Sequence, residues 1–227
     1  MLLQPFLEKP LPEPALTNIS IYIDLLLHWN ARVNLTAVRD PEEIVPRHFG
    51  ESLFLARHLF ASLGIMRVPH PSALFAEGGD SRVIDIGSGA GFPGLPLKIW
   101  APALALTLIE SNNKKSVFLR EVIRTLTLTD INVLTARAET LTVGEPSSSA
   151  PRSTVAPADI VTLRAVERFD NILPIAARFV RPGGRLALLI GSGQVPALTT
   201  LAPTIQWAAP IPIPGSHSRV LSIGVHQ

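Results

Sequence analysis

Residues 82–97, RVIDIGSGAGFPGLPL, set a short apolar run ending near an acid against four glycines, at positions 87, 89, 91 and 94. A strand that passes straight into a glycine-rich turn and then into helical spacing is the opening unit of a βαβ repeat. The rest of the chain keeps that rhythm. Apolar runs at Leu104–Ile109, Ile131–Leu134, Ile160–Leu163 and Leu186–Ile190 follow the first at Val83–Ile86. Between them, the segments around Lys114–Leu126 and Phe169–Val180 have helical spacing. The pattern predicts an α/β chain with a doubly wound, Rossmann-like parallel sheet and helices on both faces. The Gly183–Gly184 pair after Pro182 predicts a sharp turn into the fifth run. The alternating RVLSIGV, residues 219–225, predicts a final strand joined antiparallel at the sheet edge.

The part before residue 82 is different in texture. From Ala15 to about Val33, Leu16, Ile19, Ile23, Leu26 and Leu27 recur at steps of three and four, which predicts a helix. Asp40, Pro41, Glu42 and Glu43 form a helix start, with an N-cap, a proline at the first position and acids in the first turn. That second helix is expected to run to roughly Leu63, with Pro46 tolerated near its first turn. Residues 68–81 are rich in Pro, Gly and Ser and read as a linker; 143–157, VGEPSSSAPRSTVAP, read as a flexible surface insertion. The expected division is an N-terminal helical extension and linker over 1–80 and an α/β domain over 81–227. Hydrophobic residues make up 47% of the chain and charged ones 17%, ample for a buried core. A formal charge of +2 means that any nucleic-acid footprint must be local. With no cysteine, thiolate metal sites, disulfides and thiol nucleophiles are excluded together, which suits a reducing cytoplasm. No signal-peptide pattern and no run of about 18 apolar residues is present, so neither secretion nor membrane association is expected.

Spacing narrows what the glycine loop holds. A dinucleotide fingerprint, G-x-G-x-x-G, fits Gly87 and Gly89 but finds Phe92 at its third glycine, and no Lys follows for a phosphate loop. What is present is acid-x-G-x-G-x-G, starting at Asp85. That pattern resembles motif I of the class I S-adenosylmethionine-dependent methyltransferases. Gly87 and Gly89 let backbone approach a cofactor closely. Asp85 is placed to hold loop amides or, through water, an ammonium group. Glu110 ends the second strand, where an acid accepts ribose hydroxyls. Ala138 and Glu139 follow the third, where an adenine ring lies against backbone.

The acceptor is narrowed by chemistry. Methylation at C5 of a pyrimidine requires a thiol, which this chain lacks. Exocyclic amines meet a [DNS]-P-P-[YFW] motif at the end of the fourth strand, where this chain has VTLRAV. A ring nitrogen such as guanine N7 already carries an in-plane lone pair, so positioning and desolvation suffice and no catalytic base is needed. Four stretches, WNARVNLTAVRDPEEIVPRHFGES (29–52), VIDIGSGAGFPGLPLKI (83–99), ESNNKKSVFLREV (110–122) and LRAV (163–166), resemble the bacterial 16S rRNA guanine-N7 methyltransferases. These form the RsmG family, also called glucose-inhibited division protein B. The resemblance implies methyl transfer from S-adenosylmethionine to a guanosine in the decoding-region loop. It implies cofactor contacts at Gly87, Phe92, Ala138, Glu139 and Arg164, with Asp85 and Gly89 as the loop acid and second glycine, and Phe92 as a wall of the site. Glu110 stands where the family commonly has Asp. Where many members end the fifth strand with Lys-Gly, this chain has Ile190 and Gly191.

Bases exceed acids in two windows, 98–137 (Lys98, Lys114, Lys115, Arg120, Arg124 and Arg137) and 164–185 (Arg164, Arg168, Arg178, Arg181 and Arg185), the local excess that phosphate contact requires. Arg47, His48 and Asn34 are candidate RNA or active-site contacts. The histidines have no metal-ligand spacing, and no metal is expected. The expected partner is 16S rRNA, in the small ribosomal subunit or an assembly intermediate, met by a monomeric cytoplasmic enzyme. The alternatives are a methyltransferase of another RNA or a small molecule, and a non-catalytic ribosome-binding factor.

Overall fold

Residues 2–61, 81–145, 151, 153–164 and 168–227 are described by the computed structural model. The linker at 68–80, the centre of the 143–157 insertion, Ala165 and Val166 of LRAV, and His70 lie outside the described residues. The strands are β1 (Arg82–Ile86), β2 (Ala105–Ile109), β3 (Ile131–Leu134), β4 (Thr142–Val143), β5 (Thr154–Val155), β6 (Ala158–Arg164), β7 (Val180–Gly191), β8 (Ile205–Trp207), β9 (Ile211–Pro212) and β10 (Arg219–His226). The helices are α1 (Glu13–Asn30), α2 (Pro41–Ile44), α3 (Glu51–Ala61), α4 (Gly94–Trp100), α5 (Asn113–Thr125), α6 (Phe169–Arg178) and α7 (Leu198–Leu201).

The main sheet runs β3-β2-β1-β6-β7-β10-β8, with β9 on β10. Its first five strands are parallel, and order reverses beside β1, so β1 and β6 flank the switch point where an α/β sheet opens a ligand crevice. Side chains alternate across the sheet. Val83, Leu106, Leu108, Ile160 and Leu189 pack with Tyr22 and Leu26 of α1, Leu95 of α4 and Phe118 of α5. Their neighbours Ile84, Ile109, Val161 and Leu188 pack with Leu173 and Ala176 of α6 and Leu198 of α7. The N-terminal helices therefore share one core with the sheet.

Four expectations change. The last strand, β10, is not at the edge: it pairs antiparallel with β7 on one side and with β8 on the other. Gly224 explains how β8 comes so close, since a Cβ there would lie 2.3 Å from Ile205 Cγ2. The Gly183–Gly184 turn lies inside β7, where the β6 ladder slips between Ala158 and Ile160 and leaves Arg181–Gly184 as a bulge. The helix expected from Pro41 to Leu63 is divided: Val45–Gly50 form a π-helical turn between α2 and α3, because Pro46 has no N–H and its ring crowds the previous turn. The ends of the 143–157 insertion are ordered, since β4 and β5 pair in parallel. As expected, Asp40 caps α2, accepting from Glu42 N at 2.9 Å.

Phe118 joins α5 to α1. It is fully buried, with ring centroids 5.6 Å from Trp29 and 6.2 Å from Tyr22. Phe118→Ala is expected to lower unfolding free energy by about 3–5 kcal/mol, measured by urea denaturation.

Candidate functional site

The loop between β1 and α4 is pinned by two carboxylates. Asp85 is wholly buried; its Oδ2 accepts from Gly94 N at 3.2 Å and its Oδ1 from the Thr162 hydroxyl at 2.7 Å. It thereby holds the amide that leads from the loop into α4. Glu110, at the end of β2, accepts from Gly89 N at 2.8 Å through Oε2 and from Asn112 N at 2.7 Å through Oε1. Gly87 N and Ser88 N both donate to Ile109 O, at 2.9 and 3.1 Å. The loop is thereby strapped over the carboxyl end of β2. Each carboxylate oxygen of Glu110 keeps a second lone pair for another donor.

The glycines are not equivalent. Gly89 has φ +58°, and a Cβ there would meet only Gly87 O, at 3.7 Å, so the loop faces open space at this point. At Gly91 a Cβ would come within 2.2 Å of the Tyr22 hydroxyl. The first is a place where a ligand can approach backbone; the second is packed against α1.

Phe92 is held by aromatic neighbours. Its centroid is 5.3 Å from Tyr22 and 4.8 Å from His48, both stacked, and 5.1 Å from Phe49 edge-on; 6% of the residue is exposed. The Arg164 guanidinium carbon is 5.8 Å from the same centroid. Phe92 thus forms a wall that ties the loop to the π-helical turn.

Beyond this wall lies an ionic cluster. Arg164, at the end of β6, donates through Nη2 to Arg47 O at 2.7 Å and to His48 Nδ1 at 2.8 Å. A guanidinium only donates, so Nδ1 accepts and the imidazole proton is on Nε2, which lies 2.7 Å from Thr36 Oγ1. Burial, with the charges of Arg164 and Arg47, lowers the His48 pKa to about 3. His48 is neutral, with both nitrogens engaged. Glu51, 1% exposed, meets three arginines. Arg219 of β10 grips both its oxygens, donating to Oε2 at 2.6 Å; Arg164 lies 3.5 Å and Arg47 3.6 Å away. Burial lowers the Arg164 pKa to about 10, and the neighbouring Arg47 charge adds to the effect. Its Nε is buried without a hydrogen-bond partner among the described residues.

The structure thus brings together Asp85, Gly87, Gly89, Phe92, Glu110, Arg164, His48 and Arg47. Ala138 is buried and Glu139 exposed in a 3-10 turn after β3. Asn34 is exposed. Asn30 does the work of ordering that segment, accepting from Leu35 N at 2.9 Å and Thr36 N at 3.1 Å and so placing Thr36 against His48. Of the local basic excess, Lys98 is buried and donates to Leu104 O, so it presents no charge to a partner. Tyr22, Asn30, Glu51 and Arg219 were not evident from sequence. Only Glu51 carried a local signal, its i,i+4 spacing from Arg47. Two surface grooves, one lined by Arg120, Ile123 and Asn132 and the other by Arg82, Ala105 and Asp130, contain no residue of this site.

Asp85 and His48 respond to pH in opposite senses. Burial raises Asp85 to about 6, so its folded form holds a proton more tightly than the unfolded chain. That contribution is fully present below the ordinary carboxylate value and is lost as pH rises through 6. The His48 contribution is fully present above its ordinary value of 6.5 and is lost as pH falls toward 3. Relative to the parent, Asp85→Asn should make stability rise more steeply from about pH 4 to 6, and His48→Gln should make it rise less. Urea denaturation across that window reads both slopes, and identical slopes in the two variants would exclude these assignments.

The family model described as GidB, rRNA small subunit methyltransferase G, matches residues 15–207. The ribosomal RNA small subunit methyltransferase G of Chloroflexus aggregans is 39% identical over 223 residues, covering 94% of this chain and 83% of that protein. Its counterpart in Xanthomonas campestris pv. campestris (strain B100) is 34% identical over 210 residues, covering 91% and 84%. Among solved structures, the ribosomal protein L11 methylase of Lactobacillus delbrueckii subsp. bulgaricus superposes with a TM-score of 0.55 at 11% identity, over 78% of this chain and 80% of that one. TYW2 of P. horikoshii, solved with MeSAdo, gives 0.53 at 16%, over 80% and 63%. These two likenesses establish the methyltransferase fold. With the family model spanning the loop, the Arg47–Glu51 turn and Arg164 alike, the chain belongs to the GidB family of small-subunit rRNA methyltransferases.

Proposed function

We propose that this chain methylates N7 of a guanosine in the decoding-region loop of 16S rRNA, using S-adenosylmethionine. That it is an S-adenosylmethionine-dependent methyltransferase of small-subunit rRNA follows from its family; the nucleotide and the atom are the finer reading. The observation that carries the finer reading is the state of His48. Among the described residues the imidazole beside the loop is that of His48, which is neutral, accepts from Arg164 and donates to Thr36, so it has no free nitrogen with which to take a proton. No thiol exists in the chain. Among the described residues the carboxylates of Asp85 and Glu110 are engaged by loop amides and the imidazole by Arg164 and Thr36. That arrangement suits an acceptor whose lone pair is already free, and N7 of guanine is such an acceptor.

The residues fit the cofactor. The open side of Gly89 admits a ligand against backbone, and Glu110 retains lone pairs for ribose hydroxyls. Arg164, whose Nε has no partner among the described residues, is a donor for the cofactor's amino-acid end, and Ala138 with Glu139 lies beyond β3 for the adenine. When bound, the cofactor supplies an electrophilic methyl group on a sulfonium. The chain's own part is positioning: Asp85 and Glu110 fix the loop, while Phe92 and His48 exclude water from one side of it. Arg47, 40% exposed at its side chain, is the member of the ionic cluster open to an RNA phosphate. The reading takes the substrate to be 16S rRNA in the small subunit or an assembly intermediate, and the enzyme to act as a monomer.

The test is transfer of labelled methyl to small-subunit RNA from cells lacking the gene, mapped by borohydride–aniline cleavage, which cuts at N7-methylguanosine. A single cut in the decoding-region loop is expected. Labelled RNA without such a cut would sink the N7 assignment. Cofactor binding without any transfer would leave a ribosome-binding factor. Arg47→Ala is expected to leave cofactor affinity unchanged, lower methylation about tenfold, and reduce the slope of log K against log salt by about one.

A further inference from the structure

Tyr22, in the middle of α1, is the single tyrosine of the chain. It is fully buried, and its hydroxyl donates to the carbonyl of Ala90, 68 positions away, between the second and third glycines of the loop. Burial, with the Asp85 charge, raises its pKa well above the ordinary value, so the hydroxyl always has a proton to donate. Its ring lies parallel to Phe92, 5.3 Å between centroids and 5° between planes, and meets Phe49 edge-on at 5.3 Å. The missing Cβ of Gly91 is what lets that hydroxyl in. The third glycine of the loop thus makes room for α1 rather than for a ligand.

A loop with glycines at positive φ at 87, 89 and 91 has many conformations open to it, and each one excluded before binding reduces the entropy lost on binding. Asp85 holds the exit of the loop at Gly94, and Glu110 holds its front at Gly89. The middle, Ala90 to Phe92, is gripped by Tyr22. We propose that Tyr22 is a positioning residue for S-adenosylmethionine: its hydroxyl and ring keep Gly87–Phe92 in the cofactor-binding conformation, which makes helix α1 part of the cofactor site. The inference rests on the cofactor reading of the loop. It also places α1 on both sides of the reaction, since Asn30 at its far end orders Thr36 and, through it, His48.

Tyr22→Phe keeps the ring and removes the donor. The dissociation constant for S-adenosylmethionine, by isothermal titration calorimetry well below the melting temperature, is expected to rise about fivefold to tenfold, the worth of one buried hydrogen bond. KM for the cofactor rises by the same factor, while kcat at saturating cofactor stays within about twofold. A tyrosine that only filled the core would lower the melting temperature and leave the dissociation constant alone; that result overturns the proposal. A second measurement needs no variant. In the parent protein without cofactor, hydrogen exchange at the amides of residues 87–92 must already be slow, because the loop is held before S-adenosylmethionine arrives. Where Tyr22→Phe fails to fold, this exchange decides, and fast exchange there in folded parent protein, slowed only by S-adenosylmethionine, overturns the proposal. Parent protein that takes up no S-adenosylmethionine overturns the cofactor reading as well.

Discussion

Asp85 keeps a carboxyl group wholly out of water at the point where β1, β6 and α4 meet. An isolated carboxylate there would be costly, and the two hydrogen bonds it accepts, from Gly94 N and the Thr162 hydroxyl, offset only part of that cost. Its pKa rises to about 6 as a result. The return is geometric. With Asp85 joined to Gly94, the intervening glycines must arch over the strand ends, and β1 is locked to β6 beneath them. Glu110 can reach Gly89 only because the arch passes above β2, and Phe92 can reach the π-helical turn only because the arch descends beside it.

The ionic cluster on the other side of Phe92 obeys a different balance. Glu51 supplies one negative charge to Arg47, Arg164 and Arg219, and His48, held neutral, neither adds to nor relieves the excess. The bidentate grip of Arg219 offsets the desolvation of Glu51. The surplus positive charge is left on Arg47 and Arg164, beside the loop. A net charge of +2 over the whole chain conceals this concentration. Such a surplus suits a polyanionic substrate, since phosphates then meet charge that the fold has already gathered.

The parts legible in sequence are those whose cause is local. The β1–loop–α4 unit, the five parallel strands and the Asp40 cap follow from runs, glycines and capping residues that lie next to one another. The resemblance at 83–99 pointed to Asp85, Gly87, Gly89 and Phe92 for the same reason. What was not legible depends on partners distant in the chain. Tyr22 reads as one more apolar position of α1 until Ala90 is folded beneath it. The turn after α1 is ordered by Asn30, which is buried beneath the amides of Leu35 and Thr36, while Asn34 stays exposed; nothing in the spacing of NLT reports that division. The place of β10 between β7 and β8 depends on Gly224 admitting Ile205, and no alternation pattern reports that.

The pairing of Glu51 with Arg219 spans 168 positions. Synthesis runs from the N-terminus, so Glu51 emerges long before the residue that neutralises it, and β8 is made before the strand on which it leans. Until β10 has inserted, the carboxylate lacks the partner that makes its burial tolerable. Closing so long a loop costs entropy that this buried pair helps to offset, so the far end of the sequence sets the charge balance beside the cofactor loop.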